Sequence, residues 1–180
     1  MRLKRQIAIT LCGMAALAGC AREEQPAAPT APVEVQRRTP SLPRAVSAAT
    51  YVATAASIDL FAIRASELAL QRSPSPDIRD LASMLIADHK GSAAQLSFAG
   101  RRLNLLPSAT LLPRHEAMLT RLNAAANFDS SYRQALLQVE REALTLDSSY
   151  AASGSSPTLR PVAAAAVPVV RRHLRLIGSI

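Results

Sequence analysis

The sequence predicts an all-α domain: four long helices in an up-down bundle, with a short extra helix between the second and third. Three observations point there. Apolar residues make up 49% of the 180-residue chain but aromatics only 3%, so the core is built from Ala, Leu, Val and Ile, which suits closely packed helices better than a β-sandwich. From about Ala45 onward apolar residues recur at spacings of three and four, the period of a helix face. The breaks between these stretches are Ser/Pro clusters, which cap and stop helices. The length allows one such domain plus accessory segments.

Residues 1–19 read as a leader. Met1 to Gln6 is basic, and Ile7 to Ala18 is an apolar run within the about 7 to 15 residues of a signal-peptide core, short of the about 20 that cross a bilayer as a helix. It ends in Leu17-Ala18-Gly19-Cys20, which looks like the lipobox of bacterial lipoproteins, in which Cys20 takes a diacylglyceryl group; the alternative is an ordinary secretory signal with a Cys near its cleavage point. Cys12 falls inside the leader, so the mature chain keeps Cys20 alone and has no internal disulfide. Each buried acyl methylene is worth about 0.8 kcal/mol, and two or more chains hold a protein stably at a membrane. Ala21, where an Asp would mark inner-membrane retention in enteric bacteria, favours the outer membrane.

The net charge of +8 is not a nucleic-acid signature. Arg2, Lys4 and Arg5 leave with the leader, so 18 basic residues face 13 acidic ones, a charge of +5. These charges are scattered, with no basic stripe interleaved with stacking aromatics. Residues 20–45 carry Pro26, Pro29, Pro32, Pro40 and Pro43 among small and polar residues, the composition of a semi-extended tether.

Residues 46–180 form the predicted domain. The first helix spans about Ser47 to Arg72, with Val52, Ala55, Ile58, Phe61, Ala65 and Leu68 on one face, and stops at Ser73-Pro74-Ser75-Pro76. Ser75 caps the second, with Pro76 at its first position and Asp77 facing the positive end of the dipole. This helix is expected to reach about Asn104, its seam running Ile78, Leu81 or Ala82, Leu85, His89, Ser92, Leu96, Ala99 and Leu103. A shorter helix carries Met118, Leu119 and Leu122. Asp129 is the expected cap of the third long helix, where Tyr132, Leu136, Val139, Ala143 and Leu146 follow. The last spans about Thr158 to Ile177 with Leu159, Val162, Ala166, Val169 or Val170, His173 and Leu176 on one side, and Pro168 in its middle is expected to kink it.

Two histidines therefore lie on apolar stripes, His89 and His173, where the usual role is a buried, hydrogen-bonded structural one. Asp88 accepts a hydrogen bond or faces solvent. Glu67, Glu140 and Glu142 are surface candidates as charged helix residues, and His115, near a helix start, is expected to be exposed. Phe128, Asp129 and Tyr132 form a corner that caps and staples a helix.

Three motifs, Met84-x-x-x-Asp88-His89, Phe128-Asp129-x-x-Tyr132 and Pro168-x-x-x-x-His173, together resemble the bacterial exported family called domain of unknown function 4142, over about Tyr51 to Leu176. The resemblance implies a ferritin-like fold. Family members often add a Glu on the first helix and a His on the third to the two His positions, a set able to line a metal site. At those positions this chain has Ala62 and Glu140.

Ferritin-like di-iron centres need inward Glu residues and Glu-x-x-His pairs, and no such pair occurs here. Nor is there a Gly-x-Ser-x-Gly elbow, a His-Glu-x-x-His or a Cys beyond Cys20 in the mature chain. The expected function is thus a non-enzymatic, lipid-anchored envelope module that packs against an envelope protein partner or serves as a stress-related structural module, with no cofactor beyond a weakly held divalent metal. The alternative is a ferritin-like metal-binding or redox protein with a degenerate site. His89, His173 and Glu140 lie on or beside the seams of separate helices, so an antiparallel bundle is expected to bring them together, with Ala62 leaving the first helix nothing to offer at that level.

Overall fold

A computed structural model describes residues 46–180; the leader, Cys20 and the tether lie outside them. The described chain is helical: α1 Ala48–Arg72, α2 Pro76–Arg101, α3 Pro113–Asn123, α4 Phe128–Ser153 and α5 Arg160–Ser179. Ser47 caps α1, its Oγ accepting from Thr50 N at 3.1 Å. Ser75 caps α2, with Pro76 inside the first turn.

Helix α2 ends earlier than the sequence predicts. Asn104 adopts φ 55°, a left-handed conformation open to Asn more readily than to most residues. Leu105 N donates to Gly100 O at 2.9 Å and Asn104 N to Arg101 O at 3.2 Å, the bond pair of a Schellman stop. Gly100 is required there, because a Cβ would sit 2.2 Å from Leu105 O.

Helix α4 begins earlier. Its cap position is Asn127, without a side-chain cap, and Asp129 sits inside the first turn facing the dipole instead of capping it. The buried pair Phe128 and Tyr132, stacked with ring centroids 5.9 Å apart, draws Phe128 into the helix. Arg72 covers the Phe128 ring at 4.6 Å and donates to Asn123 O at 2.6 Å and Ala125 O at 2.9 Å, holding the α3–α4 turn. The Phe128 and Tyr132 corner is thus a packed one, tied to α1 by Tyr132 Oη and Ser66 Oγ at 2.8 Å.

Neighbours alternate in direction within each hairpin, α1 with α2 and α4 with α5. Between hairpins, Tyr51 at the start of α1 meets Asp147 near the end of α4, and Ser66 near the end of α1 meets Tyr132 near the start of α4. The segment between α2 and α4, which carries α3, therefore runs the length of the bundle, the crossover of ferritin-like folds. Helix α5 runs through Pro168 as one helix.

The core has two apolar clusters. One gathers Phe61, Leu85, Leu136 and Val139; the other gathers Tyr51, Leu96, Tyr150 and Leu159. On α5 the buried face is Ala163, Val170, His173 and Ile177; of Val169 and Val170 it is Val170 that turns inward, while Leu176, expected inward, is exposed. Among the described residues no helix is long and apolar enough to cross a membrane.

Candidate metal centre

Between the two clusters lies a polar layer built by all four long helices. The face of α1 that reads Val52, Ala56, Asp59, Ala62 and Ser66 is buried throughout, so helical spacing carries Asp59 inward with its apolar neighbours. Helix α2 brings His89, α4 Glu140 and α5 His173, each at most 4% exposed.

The order of contacts is a chain. His89 Nδ1 lies 2.9 Å from Asp59 Oδ1 and its Nε2 lies 3.0 Å from Glu140 Oε1. His173 Nδ1 lies 3.3 Å from the same Glu140 oxygen, and its Nε2 lies 2.9 Å from Asp88 Oδ2, which Arg172 also contacts. The imidazole rings are 5.1 Å apart. Ligand atoms of His89, Glu140 and His173 all fall within 4.8 Å of one another, and Glu140 Oε2 is buried without a hydrogen-bond partner.

Electrostatics follow the same chain. Burial alone would lower the pKa of His89, but bonds to Asp59 and Glu140 outweigh it and push it up to about 10. Burial would raise Glu140; its bonds to His173 and His89 win and hold it at about 2. Asp59 goes the other way: burial, with the Glu140 charge nearby, raises it by more than His89 and Ser92 lower it. Burial alone would raise Asp88, which is partly exposed, but the bonds and charges of His173 and Arg172 together outweigh it and hold it below the usual carboxylate range.

The structure thus brings the three sequence candidates together and adds two carboxylates behind them. Glu140 is not a surface residue but fully buried, because it falls on the same face of α4 as Leu136 and Ala143. The expectation that α1 contributes nothing at this level is corrected by Asp59, one turn before Ala62. Its sequence signal was available: an acid on an otherwise uncharged buried stripe.

His115, expected to be exposed, is fully buried, because α3 wedges against α1 and α4. Ser57 Oγ accepts Leu112 N–H at 2.8 Å and is hydrogen-bonded to His115 Nδ1 at 2.7 Å, and His115 Nε2 is bonded to Glu142 Oε2 at 3.1 Å. These bonds pin α3 in place. Ser57 is itself buried, and this row of serine, histidine and glutamate acts as a latch on α3.

No curated protein matches the chain. Among solved structures it is similar to CopM in the Cu(II)-bound form, with 16% identity, a TM-score of 0.64, and coverage of 75% of this chain and 95% of that one. It is likewise similar to CopM in the Cu(I)-bound form, with 14% identity, a TM-score of 0.63, and coverage of 74% and 94%. The Ag-bound form of CopM matches with 16% identity, a TM-score of 0.60, and coverage of 74% and 94%. At these identities the likeness is one of fold. Residues 31–180 match the family described as Domain of unknown function (DUF4142), and the chain belongs to that family.

Proposed function

We propose that this protein is a non-enzymatic metal-binding module of the bacterial cell envelope, held to the membrane by lipid at Cys20. His89, Glu140 and His173 take one divalent ion. The observation that carries this reading is the arrangement behind the histidines. Each ring turns one nitrogen to a carboxylate, His89 Nδ1 to Asp59 and His173 Nε2 to Asp88, and its other nitrogen to Glu140. Carboxylate-backed imidazoles are the outer shell that orients metal-binding histidines and raises their basicity. The unpartnered Glu140 Oε2 is an acceptor that a cation would satisfy.

Two imidazoles and a carboxylate are a nitrogen and oxygen set suited to Cu(II) or Zn(II), not the sulfur set that Cu(I) and Ag(I) favour. Three protein ligands are fewer than the four of structural zinc sites, and the ion must displace the proton between His89 and Glu140. Binding is therefore expected to be micromolar or weaker, to strengthen with pH and to release protons. The fold of CopM, which is described with Cu(II), Cu(I) and Ag bound, supports metal binding as the class of function.

The test is calorimetric titration of protein purified without a His tag, with Cu(II), Zn(II) and Ag(I), beside His89→Ala and His173→Ala. One Cu(II) or Zn(II) per chain, lost in both variants, is expected; undiminished binding in the variants would refute the site. The anchor is tested separately. Cys20→Ser should abolish labelled fatty-acid uptake and move the protein from membranes to the soluble periplasmic fraction.

A further inference from the structure

We propose that a cavity next to the polar layer is a second binding site, for a small organic cation: a protonated amine with a short aliphatic body. The cavity has a volume of about 270 Å³ and is bounded by all four long helices, a little below the about 300–1,000 Å³ of pockets that take drug-sized ligands. It exists because the helices present small residues where Leu would close the core: Ala55 on α1, Gly91 on α2, Ala143 on α4, Ala165 and Ala166 on α5. Val162, Ala166 and Val169 form one wall of this space.

The polar groups on the cavity wall call for a donor. Asp59 and Asp147 are 4% and 6% exposed, and both line it. Asp59 Oδ2 is buried with no hydrogen-bond partner, and Asp147 receives one hydrogen bond, from Tyr51 Oη at 2.9 Å. The neighbouring side-chain donors are already engaged: His89 with Asp59 Oδ1 and Glu140, His173 and Arg172 with Asp88. An ammonium brings three N–H donors and a positive charge to the free Asp59 Oδ2 and to Asp147. The aliphatic wall of Leu96, Leu146 and Val162 accepts an alkyl body and gives nothing to a hydrated metal ion.

A way in is visible. The lining residues that are exposed, Ala87, Gly91, Gln95, Ala165 and Val169, lie on α2 and α5, so the mouth opens at the seam between those helices. A Cβ built on Gly91 meets nothing within 4 Å, so a side chain can be added at the mouth without a clash at its first carbon.

The cavity shares His89 and His173 with the proposed metal site, and the experiment keeps the two readings apart by working in excess EDTA. The full chain, labelled with ¹⁵N, is titrated with n-butylammonium chloride, sodium n-butyrate and n-butanol, and amide shifts are followed. Saturable binding of n-butylammonium centred on Gly91, Asp147 and Val169 is expected, with n-butanol at least about tenfold weaker and n-butyrate silent. Asp147→Asn should weaken the amine about tenfold or more, and Gly91→Leu should abolish its binding while circular dichroism and the melting temperature stay at or above wild type. Equal binding of butyrate, no saturable shift with the amine, or unchanged binding in a folded Gly91→Leu variant would overturn the proposal.

Discussion

Replacing Glu140 by Gln tests the polar layer directly, because it removes one charge and little volume. Raising His89 from its ordinary 6.5 to about 10 corresponds to about 5 kcal/mol in favour of the charged ring, at 1.36 kcal/mol per pH unit. Asp59 and Glu140 share that effect at bond lengths of 2.9 and 3.0 Å, so loss of one removes roughly half, or about 2–3 kcal/mol. Gln keeps one acceptor oxygen, which places the cost just under the about 3–5 kcal/mol of breaking a buried ion pair outright. For a domain of this size that is a fall of roughly 10 °C in melting temperature.

The pH dependence has a definite sign. His89 has a folded-state pKa above its unfolded value, so its stabilisation is complete below pH 6.5 and is lost as pH rises through about 10. Glu140 is held at about 2 against an ordinary 4.5, so its contribution is present above pH 4.5 and lost as pH falls through about 2. These describe one ion pair from its two ends and are not added. Urea unfolding of wild type and Glu140→Gln, followed by circular dichroism from about pH 6 to about pH 10, should show a gap that is widest at the acid end and closes towards the alkaline end. A gap under about 0.5 kcal/mol near neutrality, or one that does not change with pH, would refute the reasoning.

Tyr51→Phe removes the hydroxyl that donates to buried Asp147, whose pKa burial already pushes up to about 7; a loss of about 1–3 kcal/mol in urea unfolding is expected, with the carboxyl carbon of Asp147 titrating higher still by NMR. In wild type, Asp147 stabilises the fold fully below pH 3.8 and progressively less as pH rises through about 7. Ser57→Ala strips the latch of both its bonds, to Leu112 N–H and His115 Nδ1; we expect about 2 kcal/mol of destabilisation and faster hydrogen exchange in α3 than in the four long helices. Gly100→Ala forces a methyl against Leu105 O and should cost about 1–3 kcal/mol, with the Leu105 amide losing its exchange protection.

Local chemistry determined much of this protein in advance. Helical periodicity, Ser47 and Ser75 as caps, and the Ser73 to Pro76 break all act within a turn or two of chain, so helix number and most helix limits were legible, as was the inward face that carries His89 and His173. The short-range signals failed where a tertiary contact outbid them: Arg72 on Phe128 started α4 early, and the close approach of Leu105 to Gly100 stopped α2. The site divided along the same line. Periodicity could put two histidines on seams, but Asp59, Glu140 and His115 carry polar side chains whose burial depends on partners from other helices: His89 for Asp59, both imidazoles for Glu140, Ser57 and Glu142 for His115. A charge becomes tolerable inside a protein only when an opposite charge or a donor is already waiting there. Which side chains meet across the bundle is set by helix packing and by the crossover, so only the tertiary structure could decide it.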